Sequence, residues 1–179
     1  MTRASERSGP PGKWSGVRRR LALIALLGIG VTTLLALDRW SERHALMINA
    51  SQSLPHWAFF VEAGAFPERG EIVVFDPGKD PLTRAYFGAE PEAFAKIAYG
   101  LPGDTVARDG NMVLVNGNPV AALKPYTRKG DPLRAGPVGD VPEGCIFAAT
   151  PHRDGFDSRY GHIGFVCRDR LVGVGEPIL

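Results

Sequence analysis

Two hydroxyls in the pentapeptide SQSLP, Ser51 and Ser53, stand just before Pro55 and the aromatic run HWAFF. A serine oxygen is a weak nucleophile at neutral pH and attacks only with a base within hydrogen-bond reach. The pentapeptide holds no histidine. His56 follows Ser53 too closely to swing round it on an extended segment, and His152 with Asp154 would reach it only through tertiary folding; these form the rival histidine–acid arrangement. The other candidate base is Lys96, in EAFAKIAYG. Lysine accepts a proton only when neutral, so its pKa must fall from about 10.4 to roughly 7–8, a cost to the charged form of ~3–4 kcal/mol that apolar burial can impose. Phe94, Ile97, Ala98 and Tyr99 are suited to such a dry setting. Taken alone, Ser-x-Ser before proline is ordinary turn chemistry, and a lone lysine ordinarily faces water.

These residues need a scaffold, and 179 residues with a net charge of +2 allow one membrane segment and one domain with its own core. No basic face is evident beyond the N-terminus, so nucleic acid is not an expected partner. Leu21 to Leu37, LALIALLGIGVTTLLAL, carries no charge and is long enough for a bilayer core. Arg3, Arg7, Lys13, Arg18, Arg19 and Arg20 precede it, while DRWSER beyond it mixes both signs. The expected arrangement is a cytoplasmic basic tail over 1–20, a transmembrane anchor over 21–37 and an exported β-rich domain over 38–179, with Trp14 and Trp40 at the two interfaces. A cleaved secretory signal shares the basic start and apolar run, but the run exceeds a signal core of ~7–15 residues and no A-x-A pattern follows it directly.

After the anchor, SERHALMINA reads as a short connector. HWAFFVEAG reads as a strand, and GEIVVF as another stopped by Asp76-Pro77-Gly78. Pro81 to Pro91 reads as a loop or brief helical turn. EAFAKIAYG as a strand sets Lys96 on the face opposite Ile97 and Tyr99. Asp109-Gly110 and Asn116-Gly117 join short antiparallel strands. Ala121 to Pro137 reads as an extended loop, and CIFAAT with IGFVC as the arms of a late hairpin around PHRDGFDSRYGH. The fold expected is mainly β, an antiparallel folded-over sheet or partial barrel behind one N-terminal helix. Cys145 and Cys167 flank the hairpin and are a disulfide candidate, with two buried free thiols as the alternative. Neither has a partner at zinc-site spacing, so no metal is expected, nor any cofactor.

Two further segments carry a family resemblance. Lys96 followed by Gly100-Leu101-Pro102-Gly103-Asp104, and Asp157-Ser158-Arg159-Tyr160 near the C-terminal end, resemble in their order the lysine and D-S-R-Y segments of type I signal peptidases, the serine–lysine dyad peptidases. SQSLP resembles the family's nucleophile segment with Leu54 in place of the usual methionine, and GEIVVF resembles the strand between serine and lysine. The resemblance implies Ser53 as nucleophile, Lys96 as general base and Ser51 as an oxyanion-hole hydroxyl, with Asp157 and Arg159 as a supporting ion pair. Gly155 departs from the pattern, standing where many relatives carry a serine next to the catalytic lysine. The compact, single-anchor chain is most similar to the conjugative-transfer, TraF-type branch, which implies an exported pilin-like precursor as substrate. A general type I signal peptidase and a catalytically inactive scaffold of a transfer apparatus are the alternatives. The aromatics Trp57, Phe59 and Phe60 are read either as a lipid contact or as core.

Overall fold

The computed structural model describes residues 14–49 and 53–178. The chain divides into two compact units, an N-terminal one ending at Ser41 and a second one, Glu42–Leu179. The first is a single helix, α1 (Trp14–Ser41), longer than the apolar run at both ends. Arginine, serine and tryptophan continue a helix at little cost, so it does not stop where the hydrophobicity does. Within it Thr32 Oγ1 donates to the carbonyls of Gly28 and Ile29. Gly16–Ser41 is long and apolar enough to cross a bilayer.

The second unit is built on two antiparallel sheets. Its elements in order are β1 (His44–Ile48), β2 (Ala58–Ala63), β3 (Ile72–Phe75), α2 (Pro81–Phe87), β4 (Phe94–Gly100), β5 (Thr105–Asp109), β6 (Met112–Val115), β7 (Asn118–Ala122), β8 (Gly139–Asp140), β9 (Cys145–Ala149), β10 (Val166–Cys167) and β11 (Leu171–Pro177). The larger sheet has the order β1-β2-β11-β3-β4-β9-β10, and the smaller β7-β6-β5-β8. The fold is mainly antiparallel β with one N-terminal apolar helix.

Strand β9 explains how the layers join. CIFAA has no polar alternation, and every one of its residues is buried. Cys145, Phe147 and Ala149 pack with Val106, Val113, Val115 and Val141 of the smaller sheet's layer, whereas Ile146 and Ala148 pack with Val73, Phe75, Ala98 and Val166. A strand covered on both faces must be apolar throughout. A third cluster, Leu54, Phe59, Val61, Val74 and Ala95, lies on the other side of β3 and β4.

Two readings of the sequence change here. SERHALMINA is not a connector, because His44–Ile48 forms the edge strand, with Met47 opposite Phe59 and Ile48 opposite Ala58. Its inward face is slight and Leu46 and Ile48 point out exposed, so no alternation marked it as a strand. Phe59 is fully buried in the third cluster, which removes it from any lipid-facing surface. Trp57 is exposed and Phe60 half-buried.

Cys145 and Cys167 are directly paired across β9 and β10, and their sulfurs are bonded. The bond closes the excursion that carries Gly155, Asp157 and Arg159. Closing a loop of this order removes about 3 kcal/mol of unfolded-chain entropy.

Candidate active site

Lys96 sits in the middle of β4, between β3 and β9, with Val73 directly opposite it on β3. Alternation puts its side chain on the face of Phe94 and Ala98, opposite Ala95 and Ile97, in the cluster that the sheet interior keeps dry. The side chain is buried, and its Nζ lies 2.9 Å from Ser53 Oγ and 5.5 Å from the centre of the Phe94 ring. Ser53 is half-buried and held close to the core by Leu54, which is inserted among Phe59, Val74 and Ala95. Asn49 clamps the same turn, donating from Nδ2 to the carbonyls of Leu54 and His56. Ser51 lies outside the described residues.

Burial pushes the Lys96 amine down to about 8; the Asp157 carboxylate opposes that fall and the Arg159 guanidinium adds to it. A hydroxyl and a neutral amine at this separation can exchange a proton directly.

The segment after Lys96 is shaped by its glycines and Asp104. A side chain at Gly100 would meet Phe147 Cβ at 2.9 Å, and Gly103 adopts a φ of +84°. Asp104 accepts from the Leu101 amide at 2.6 Å and from Asn116 Nδ2 at 2.7 Å, and pairs with Arg69 at 2.7 Å. It therefore ties the end of the lysine strand to the turn of the smaller sheet.

Behind the lysine, Asp157 and Arg159 are fully buried together. Arg159 donates through Nε to Asp157 Oδ1 at 2.8 Å and through Nη2 to Oδ2 at 2.9 Å. Its remaining N–H groups reach the carbonyls of Ala122, His152 and Thr150. Asp157 also accepts from the Thr150 amide. Gly155 has no room for a side chain, since a Cβ there would lie 2.6 Å from Arg159 Nη2 and 2.7 Å from both Asp157 Oδ2 and Thr150 Oγ1. The place of a neighbouring serine is filled by the ion pair and by Thr150, which sequence reasoning passed over as the tail of an apolar strand.

The histidines stand differently. The Asp154 carboxylate is taken by Lys124 and Arg128, and His152 Nδ1 accepts from the Asp154 amide at 3.2 Å. No carboxylate orients either His56 or His152 toward Ser53 among the described contacts, as a triad would require.

Two clefts of about 500 and 470 Å³ meet at Ser53. The second is lined by Met47, Ile48, Ala93, Ala95 and Lys96, with the carboxylates of Glu90 and Glu92 also on its wall. The first is walled by Tyr86, Phe87, Lys124, Arg128 and Tyr160. Helix α2, which no periodicity announced, contributes to both through Phe87; that ring contacts Phe94 and Phe156. The helix is capped by Asp80, whose carboxylate accepts from the Leu82 amide and pairs with His162 and Arg134.

Comparison with known proteins gives the family. The family described as signal peptidase, peptidase S26, matches residues 18–179. A probable signal peptidase I-2 from Synechocystis sp. is 31% identical over 96% of this chain and 76% of its own length. A signal peptidase I from Leptolyngbya laminosa is 26% identical over 87% of this chain and 74% of its own. A crystal structure of a signal peptidase I from Enterococcus faecalis V583 superposes with a TM-score of 0.39 and 27% identity, over 61% of this chain and 96% of that one. The chain belongs to the S26 signal peptidase family and is a serine endopeptidase by that membership.

Proposed function

We propose that the protein is a membrane-anchored peptidase that cuts exported precursor proteins through a Ser53–Lys96 dyad. The observation that carries the reading is the 2.9 Å approach of the Lys96 amine, buried and shifted toward neutrality, to the Ser53 hydroxyl. Ser53 Oγ attacks the scissile carbonyl while its proton passes to Lys96 Nζ. The C–N bond then breaks as the ammonium returns that proton to the leaving amine, and water hydrolyses the Ser53 ester by the same exchange. Ser51 is assigned to the oxyanion hole with the Ser53 amide, a task for preorganised donors. Asp157 and Arg159 hold the wall behind the lysine.

In this reading α1 crosses the inner membrane with its arginine-rich end in the cytoplasm and delivers the domain to the outer face. The small and apolar side chains of the second cleft, Ala93 and Ala95 among them, suit the small residues that the family takes before the scissile bond. Leu46, Ile48 and Trp57 are exposed close together, Ile48 pairing with Ala58 and the Asn49 amide donating to the Trp57 carbonyl. We assign them to contact with lipid, near which precursor substrates are held. Replacing all three by serine in the isolated unit from Glu42 onward is expected to lower vesicle co-sedimentation by roughly tenfold; unchanged binding would remove lipid from the reading.

Substrate breadth has two candidates. A pilin-like precursor of a conjugative apparatus is suggested by the Ser53-Leu54-Pro55 segment, while the relatives named above are signal peptidases I, which suits a broad enzyme equally. Expression in a strain depleted of its own signal peptidase separates them. Restored growth and general precursor processing establish breadth, and continued accumulation of precursors despite a folded protein favours the specialised substrate.

A further inference from the structure

We propose that Thr150 is a positioning residue for Lys96, its hydroxyl accepting a hydrogen bond from the lysine once that amine has taken the serine's proton. The inference rests on the reading of Lys96 as the base, and it begins from register. Strands β4 and β9 are antiparallel with Ala98 opposite Ala148 and Ile97 opposite Ala149. Carrying that register on by one residue sets Thr150 beside Lys96, on the face that holds Ala98, Ile146 and Ala148. Lys96 is thus flanked by Val73 on one neighbouring strand and Thr150 on the other.

Thr150 is fully buried, and its Oγ1 has no hydrogen-bond partner among the described residues. An orphaned buried hydroxyl is costly, and a native structure keeps few of them. The backbone around it is fully engaged. The Thr150 amide donates to Asp157 Oδ2 at 3.1 Å, and its carbonyl accepts from Arg159 Nη2. Both ends of the residue are therefore fixed by the buried ion pair, and the side chain keeps only rotation about its Cα–Cβ bond. The same Oγ1 lies 2.7 Å from where a Cβ at Gly155 would start, so it fills the space that Gly155 leaves.

The chemistry supplies the missing partner. In the resting state the neutral amine needs one contact, with Ser53. After proton transfer it is an ammonium with three N–H donors on a buried side chain, and Asp157 already receives three donors from Arg159, its backbone amide included, and one from the Thr150 amide. Thr150 Oγ1 is the uncommitted acceptor on the adjoining strand. A contact stronger in the transition state than in the ground state accelerates the chemical step, which is why an oxygen left unpaired at rest is useful here.

The test uses the full-length protein in detergent with a fluorogenic precursor peptide. Thr150→Val keeps shape and removes the hydroxyl, and is expected to lower kcat by about ten- to hundredfold, the worth of one hydrogen bond to a charged group, with KM and melting temperature essentially unchanged. Thr150→Ser is expected to retain most of the wild-type kcat. A wild-type kcat in Thr150→Val overturns the proposal. So does an equal loss in Thr150→Ser, which would mark the methyl group as the important part. Failure of Thr150→Val to fold also overturns it, since a hydroxyl that serves only the reaction would not be missed by the fold. All three outcomes leave the dyad standing, because that reading fails separately if Lys96→Ala keeps its activity.

Discussion

Ser53→Ala and Lys96→Ala are each expected to reduce precursor cleavage by on the order of 10³-fold or more while leaving the domain folded, and the double variant is expected to be little worse than either single one. Nucleophile and base act as one unit across the 2.9 Å contact, so removing either half forfeits the whole. Lys96→Arg is expected to fare no better than alanine, since a guanidinium does not deprotonate in this range. The profile of kcat/KM against pH identifies the base independently. Cleavage needs the neutral amine, and with the Lys96 pKa near 8 the rate should rise about tenfold per pH unit below that value and level off above it. A histidine base would level off nearer ~6.5. A plateau reached by neutral pH, or a Lys96→Ala variant within tenfold of wild type, ends the dyad reading.

The same shift has a stability consequence of the opposite kind from that of a salt-bridged carboxylate. An unfolded lysine titrates at 10.5 and the buried one near 8, so between those values the unfolded chain binds more protons than the native one. Stability from this group therefore rises with pH across that window, by about 3 kcal/mol in all, and below pH 8 the protein carries the cost of an amine buried with its charge. The enzyme accepts a less stable strand in exchange for a base that works near neutrality, a common feature of functional sites.

What could be read from the amino acids alone divides along a physical line. The face of Lys96 was legible because successive side chains of any strand over EAFAKIAYG point to opposite sides, and the meander was legible because Asp109-Gly110 and Asn116-Gly117 are turn formers with little other use. The hairpin of β9 and β10 followed from two short apolar arms. Edge strand β1 was not legible, because its backbone pairs with β2 while Leu46 and Ile48 face outward and obscure any inside–outside pattern. Helix α2 was legible only as one of two alternatives, a loop or a brief helical turn, because PLTRAYF is too short for a period to show and tertiary contacts from Asp80 and Phe87 hold it in place. Thr150 and the tightness around Gly155 were beyond reach for a different reason: both depend on where a guanidinium 4 to 9 residues away turns back upon its own loop.

That guanidinium is where the largest stability effect is expected. Arg159→Met should destabilise the domain by about 3–5 kcal/mol, read as a fall in the urea midpoint of the full-length protein. The substitution leaves the Asp157 carboxylate buried with its charge and strips donors from the carbonyls of Ala122, His152 and Thr150. Asp157→Asn keeps the shape but leaves the arginine charge uncompensated, and should also destabilise. The two changes act on Lys96 in opposite senses, which separates their electrostatic effect from simple loosening. Arg159 holds the amine's pKa down and Asp157 holds it up. In whatever fraction remains folded, the rise of activity with pH should therefore move to higher pH in Arg159→Met and to lower pH in Asp157→Asn. Shifts in the same direction, or a urea midpoint unchanged in Arg159→Met, would mean that the pair neither braces the wall behind the lysine nor sets its charge, because a guanidinium with no exposed nitrogen cannot be lost quietly unless its partners were already satisfied elsewhere.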